Sequence, residues 1–320
     1  MRLVLATLLA AAILAGCGSA THGSAGHVRP VRLMLDFTPN AAHAGIYAAV
    51  ARHYDRSAGI ALKVIPPPSP ADSIKLLEAG RVEFSVLDIH DLAIAREHGA
   101  DLVGIMAIVE RPLAAVIAQP SISTPAALQG KTVGVTGVPS DQAVLGSTVQ
   151  GAGGNPQRVK TITIGGNAVP DLLSGRVAAA TAFWNDEGVA LERTRPGFHV
   201  FRVDRYGAPP YPELVLCARR STLRTDPALA PAVVHALERG YRSAISDPSA
   251  AAADLERQVP GLNPKLVNAD LTALRPAFDG PAGHPGELDA RVLQAWSAWE
   301  AKFGLVSRRP DVAQAFAISR

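Results

Sequence analysis

At 320 residues, 48% hydrophobic and 18% charged, the chain is long enough for one large or two medium domains with real cores, and far from the disordered regime. Its formal net charge of +3 contains no lysine/arginine block. Arg219-Arg220 and Arg308-Arg309 are isolated pairs of a solvated surface, so no nucleic-acid partner is expected.

The first segment, MRLVLATLLAAAILAGC, has one arginine, an apolar run over 3–15, small residues and then Cys17. That run is too short for a permanent bilayer span and has the shape of an export signal. Leu14-Ala15-Gly16-Cys17 resembles a bacterial lipobox, which implies cleavage before Cys17 and a lipid on its thiol. Buried methylenes at about 0.8 kcal/mol each hold such an anchor in the membrane. GSATHGSAGH (18–27) then reads as a flexible tether. With Cys17 lipidated, Cys217 alone remains, so no intrachain disulfide is possible. Cys217 sits in the apolar run ELVLCAR and reads as a small buried hydrophobe. The nine histidines are scattered without zinc spacing, so neither a metal nor a cofactor is expected.

VRLMLDF (31–37) alternates with period two and predicts a strand, followed by a helix of small residues through HAGIYAAVARHY. ALKVIPP is a second strand, and Ser69-Pro70 predicts the capped start of a helix running to Ala79. VEFSVLD, a short helix over IHDLAIAREHG and the strand DLVGIMAIV follow. The pattern restarts near Arg111-Pro112: LAAVIAQ, KTVGVTG, VKTITI, VAAATAF and FHVFRV read as strands, with helices over SDQAVLGSTVQGAG, NAVPDLLSG and NDEGVALER. After ELVLCAR the chain turns helical, with Asp226-Pro227 and Asp247-Pro248 as cap-plus-proline helix starts and LQAWSAWEAKFG as the last helix. Alternating strands and short helices predict an α/β fold with largely parallel sheets. The expected organisation is a signal over 1–16, a tether over 17–29, a first lobe from 30–112 and 217–320, and a second over 113–216. The chain crosses between them near 110–114 and 210–216, forming a hinge.

Ligands in open α/β sheets sit beyond the carboxyl ends of strands. At those ends stand Asp36, Phe37 and Asn40, with His43 and Tyr47 on the next helix; then Asp88 and His90; Ser140 and Asp141; Gly165-Gly166; and Phe183-Trp184-Asn185-Asp186-Glu187. Each has a structural alternative. Asp36, Asp88 and Asn40 also suit turns and caps, His43 and Tyr47 also suit a core, and Gly165-Gly166 suits a plain turn better than a phosphate cradle. Asp186 and Glu187 could simply complement a helix dipole, although that leaves Trp184 unexplained. No nucleophile elbow, P-loop or HExxH motif is present, so no catalytic residue and no enzyme is expected.

LDFTPN with HAGIY (35–47), LQGKTVGVTG, NAVPDLLSGRVAAATAFWNDEG and PPYPELVL together resemble the SsuA/THI5-like (NMT1-type) solute-binding proteins of ABC importers. The resemblance implies an α/β, two-lobe periplasmic-binding-protein-like fold (type II), with two mixed β-sheets flanked by helices and a hinge between lobes. It further implies a monomer held at the outer face of the membrane beside a permease and its ATPase. The thiamine-pyrimidine branch of that family implies an aromatic N-heterocycle such as an aminopyrimidine as ligand. Contacts would come from Asp36, Phe37, Asn40, His43, Tyr47, Asp88 and His90 on the first lobe. The second lobe would offer Ser140, Asp141, Trp184, Asn185 and Glu187, with Phe37 or Trp184 stacking on the ring. Riboflavin and sulfonate binders share this framework. The family's pyrimidine synthases use a chain histidine near the position of His90, but Val86 stands where their lysine would be and their cysteine cluster is missing.

Overall fold

The computed structural model describes residues 28–69, 71–138, 140–279 and 283–318. The expected export signal, Cys17 and the expected tether up to 27 lie outside the described residues, whereas Arg29 already belongs to the first strand. Four strands run in chain order before the first crossing: β1 (Arg29–Met34), β2 (Ile60–Ile65), β3 (Phe84–Asp88) and β4 (Leu102–Val109). Between the crossings lie β5 (Ala114–Ala118), β6 (Thr132–Val135), β7 (Lys160–Thr163), β8 (Ala179–Phe183) and β9 (His199–Arg202), and β10 (Leu214–Arg219) returns. They form two five-stranded sheets, ordered β2-β1-β3-β10-β4 and β7-β6-β8-β5-β9.

Each sheet is mixed. Strands linked by helical crossovers pair in parallel, as β1 does with β2 and β3, and β6 with β7 and β8. The two strands that arrive straight from the other sheet run the opposite way. Strand β5 is antiparallel to β8 and β9, and β10 to β3 and β4. The return to the first sheet begins at Leu214, a few residues before the expected 217. β10 is central and almost fully buried, so it reads as a continuous apolar run, and Cys217 within it is a buried free thiol.

Glu213 fastens the two crossings together. Fully buried, it accepts hydrogen bonds at Oε2 from the backbone N–H groups of Ala114 (2.9 Å) and Leu113. Its own carbonyl accepts from the Ile89 N–H (3.0 Å).

The chain after β10 is helical and packs back on the first sheet. The helix Leu229–Ser246 crosses the helix Ala44–Ala51 at a pair of glycines. A Cβ on Gly240 would lie 2.0 Å from the Gly45 carbonyl oxygen, and one on Gly45 would meet the Tyr241 ring at 2.4 Å. Only glycine permits that approach. Asp247 caps the helix Pro248–Gln258 as the sequence predicts, accepting from the Ala250 N–H at 3.0 Å. The other two expected helix starts shift. Asp226 closes the short helix Arg220–Thr225, and the next begins at Leu229. Ser69 donates instead to the Asp72 carboxylate (2.7 Å), and the helix Asp72–Glu78 starts without a side-chain cap.

Candidate functional site

The carboxyl ends of β1, β3, β6 and β8 converge on one cleft of about 770 Å³, part of it open to solvent. Asp36 and Phe37 enter from the end of β1, and Asp88 and Asp91 from β3 and the start of the helix Ile89–Glu97. Thr136, Val138, Ser140 and Asp141 come from the β6 end, and Thr181, Phe183, Asp186 and Glu187 from the end of β8.

The first-sheet rim is built by one tight network. Asn40 caps a single 3-10 turn, accepting at Oδ1 from the Ala42 N–H (2.9 Å). The Asn40 N–H donates to Nδ1 of His43 (3.1 Å), which assigns the proton to Nε2 and lets that nitrogen donate to Asp36 Oδ1 (2.8 Å). Fully buried, His43 thus orients Asp36 rather than facing the cleft.

Opposite, Asp141 organises the β6 end. Its Oδ2 accepts from the N–H groups of Gly137 (2.6 Å) and Val138 (3.0 Å) and from the Thr136 hydroxyl (3.0 Å). Its Oδ1 accepts from Thr181 (2.6 Å). Three contacts join the two rims. The Ser140 N–H donates to Asp91 (2.9 Å), the Asn40 side chain hydrogen-bonds Asp186, and Phe37 rests on Gly166, where a Cβ would stand 3.1 Å from the ring. Gly165 takes a positive φ of 57°, and this glycine pair forms a turn on which the Phe37 ring rests.

Six carboxyl groups line the cleft (Asp36, Asp88, Asp91, Asp141, Asp186, Glu187), and among the described residues no lysine, arginine or histidine does. Burial raises several of them toward neutrality or above it. Burial pushes Glu187 up to about 8, reinforced by the neighbouring Asp186 charge. Burial also raises Asp91 to about 7 against the hydrogen bonds from Ser140, and Asp186 to about 6 against His43 and Asn40. A carboxyl that holds its proton offers a donor and an acceptor side by side. Glu187 opens the helix Glu187–Thr194 and accepts at Oε2 from the Phe183 N–H (2.9 Å), so its orientation is set by the backbone of β8.

Seven of the predicted residues line the cleft: Asp36, Phe37, Asn40, Asp88, Ser140, Asp141 and Glu187. Five do not. His43 lies behind Asp36. Tyr47 is core, with its phenol pushed up to about 12 by burial. His90 is sealed against Glu300 in the first-sheet core. Trp184 is held at the crossing, its indole N–H donating to the Pro112 carbonyl (3.0 Å) and its ring covered by the Arg202 guanidinium at 4.4 Å. Asn185 is fully buried with no side-chain partner among the described residues, and nothing in the structure explains an amide there.

Phe183, rather than Trp184, brings the second ring to the cleft, and Asp186 faces it instead of serving only the helix start. Asp91, Thr136, Thr181 and Ser73 also went unread. Asp91 carried a signal: it follows Asp88 by three residues at a helix start, and that spacing places both on one face.

Comparison with known proteins agrees with this architecture. The family model NMT1/THI5 like matches residues 40–251. The formylaminopyrimidine-binding protein of Halalkalibacterium halodurans is 27% identical over 303 residues, covering 92% of each chain. A 4-amino-5-hydroxymethyl-2-methylpyrimidine phosphate synthase of Legionella pneumophila is 24% identical over 78% of this chain and 79% of its own. The periplasmic aliphatic sulphonate binding protein SsuA from Escherichia coli superposes with a TM-score of 0.67 at 16% identity, over 90% of this chain and 97% of that one. The fold is that of the periplasmic binding proteins. With the family model matched across most of its length, the chain belongs to the NMT1/THI5-like family.

Proposed function

We propose that the chain is an extracytoplasmic solute-binding lipoprotein of an ABC importer, anchored through Cys17, that takes a small aromatic N-heterocycle of the aminopyrimidine class into its cleft. One observation carries this reading: the cleft joins Phe37 and Phe183 to six carboxyl groups, with no cationic side chain among the described residues. Such a lining suits a flat ring rich in N–H donors, since each buried polar group left unpaired costs about 1–3 kcal/mol. A sulfonate or nitrate would meet six carboxyl groups and no cationic side chain among the described residues. The relative whose name specifies formylaminopyrimidine points to the same ligand class.

The synthase reading has less support, because His90 lies outside the cleft and is paired with a buried glutamate. No helix among the described residues is long and apolar enough to cross a membrane, so membrane attachment rests on the Cys17 segment. Docking to a permease would follow closure of the two lobes about the crossings at 110–114 and 210–216.

A thermal-shift panel tests the ligand class. Formylaminopyrimidine is expected to raise the melting temperature, while an alkanesulfonate and nitrate leave it unchanged. A shift with the anions and none with the pyrimidine overturns the assignment.

A further inference from the structure

Beneath the cleft floor, at the junction of the two sheets, a ring nitrogen of His90, a carboxylate oxygen of Asp88 and one of Glu213 lie within 4.8 Å of one another. They come from three places: the end of β3, the first turn of the following helix and the crossing before β10. His90 and Glu213 are fully buried, while Asp88 also borders the cleft.

The hydrogen bonds leave Nε2 of His90 without a partner, while the Asp88 and Glu213 side chains hydrogen-bond each other. Nδ1 of His90 is held by the buried Glu300 carboxylate on the helix Ala290–Lys302, with the Trp296 indole N–H 3.3 Å from the same nitrogen. Nε2 has no partner among the described residues. Oε2 of Glu213 accepts from Leu113 and Ala114, and its side chain pairs with that of Asp88. Asp88 uses Oδ1 to cap the helix through the His90 N–H (2.7 Å). Tyr211 stands edge-on to the His90 ring at 4.7 Å, and its buried hydroxyl is also unpartnered.

Buried polar atoms are rarely left so, and here they gather around one point. The three carboxylates Asp88, Glu213 and Glu300 outnumber the single imidazole, so the pocket favours a positive occupant. A carboxylate behind one imidazole nitrogen, with the other nitrogen unpartnered and two further carboxyl groups close by, is the kind of arrangement that orients a histidine onto a metal. One nitrogen and two oxygens suit a borderline ion of the zinc type.

We propose that Asp88, His90 and Glu213 form a binding site for a first-row divalent transition ion of the zinc type, with Glu300 positioning His90. Sequence spacing hides such a site, because Glu213 reaches it only through the return crossing. An ion there would tie β3 to the crossing strand and bring positive charge under an otherwise acidic cleft.

The test uses the full chain, stripped with a chelator, reloaded with zinc sulfate, dialysed against zinc-free buffer and assayed for metal. Wild type is expected to retain one zinc per chain more than either His90→Gln or Asp88→Asn. Cobalt in its place should give visible absorption bands that both variants lose. Asp88→Asn keeps a helix-capping oxygen and so separates metal loss from misfolding. Equal zinc retention in wild type and the folded Asp88→Asn variant, with an unchanged cobalt spectrum, overturns the proposal and leaves ordered water as the occupant.

Discussion

Replacing Glu187 with alanine is expected to weaken formylaminopyrimidine binding by about 100-fold, whereas glutamine costs less than about tenfold. The carboxyl stands in the cleft with its Oε2 fixed by the Phe183 N–H, and burial holds it protonated up to about pH 8. Paired with an aminopyrimidine edge, it donates to a ring nitrogen and accepts from the exocyclic amine. Alanine leaves both ligand groups unpaired at about 1–3 kcal/mol each, and about 1.4 kcal/mol is tenfold in affinity. Glutamine keeps a donor and an acceptor in nearly the same places. The pH dependence follows with a definite sign. The pair holds one proton whether it rides on the carboxyl or on the ring, so affinity is full between the ring nitrogen's own pKa and about 8 and falls above 8 by about tenfold per pH unit. Calorimetric titration of the three proteins across that range reads all of this, and the glutamine variant should be flat where wild type falls. Equal affinities for wild type and Glu187→Ala would remove Glu187 from the recognition role.

The Asp141→Ala variant should lose on the order of 4 kcal/mol of stability, because four donors lose their acceptor together. Hydrogen bonds to a charged group are worth about 1.5–3 kcal/mol each, and water entering the vacated space recovers part of the loss. For a chain of this size that corresponds to a fall in melting temperature of roughly 10 °C. Ligand affinity falls as well, since the 136–138 segment that Asp141 holds is cleft wall. Asparagine, which keeps Oδ1 but not the charge, should lie between. Thermal unfolding followed by circular dichroism separates the three. A melting point for Asp141→Ala within about 2 °C of wild type would mean that the loop is held by something other than this carboxylate.

Local chemistry made much of the fold legible. Apolar runs ending in polar clusters marked the strands, Asp247-Pro248 marked a helix start, and the strand-end rule led to Asp36, Asp88, Asp141 and Glu187. Long-range pairing is what local reading lacks. Trp184 has the larger ring, yet the Pro112 carbonyl, from the other end of the crossing, claims its N–H, and the smaller Phe183 faces the cleft. His90 sits two residues past a cleft aspartate, but Glu300 on a helix near the end of the chain draws its ring into the core. His43 stands one turn from Asn40, close enough for the Asn40 backbone to fix its tautomer, so its role is to aim Asp36. The antiparallel entry of β5 and β10 was equally invisible, because it depends on which sheet receives the chain after each crossing.

A crystal structure of the chain grown with formylaminopyrimidine tests the central claim most directly. The ring is predicted to lie in the cleft against Phe37 and Phe183, with its amine and ring nitrogen within hydrogen-bonding distance of Glu187. A ring bound on the outer face of Trp184, or a cleft that admits an anion in its place, would contradict it.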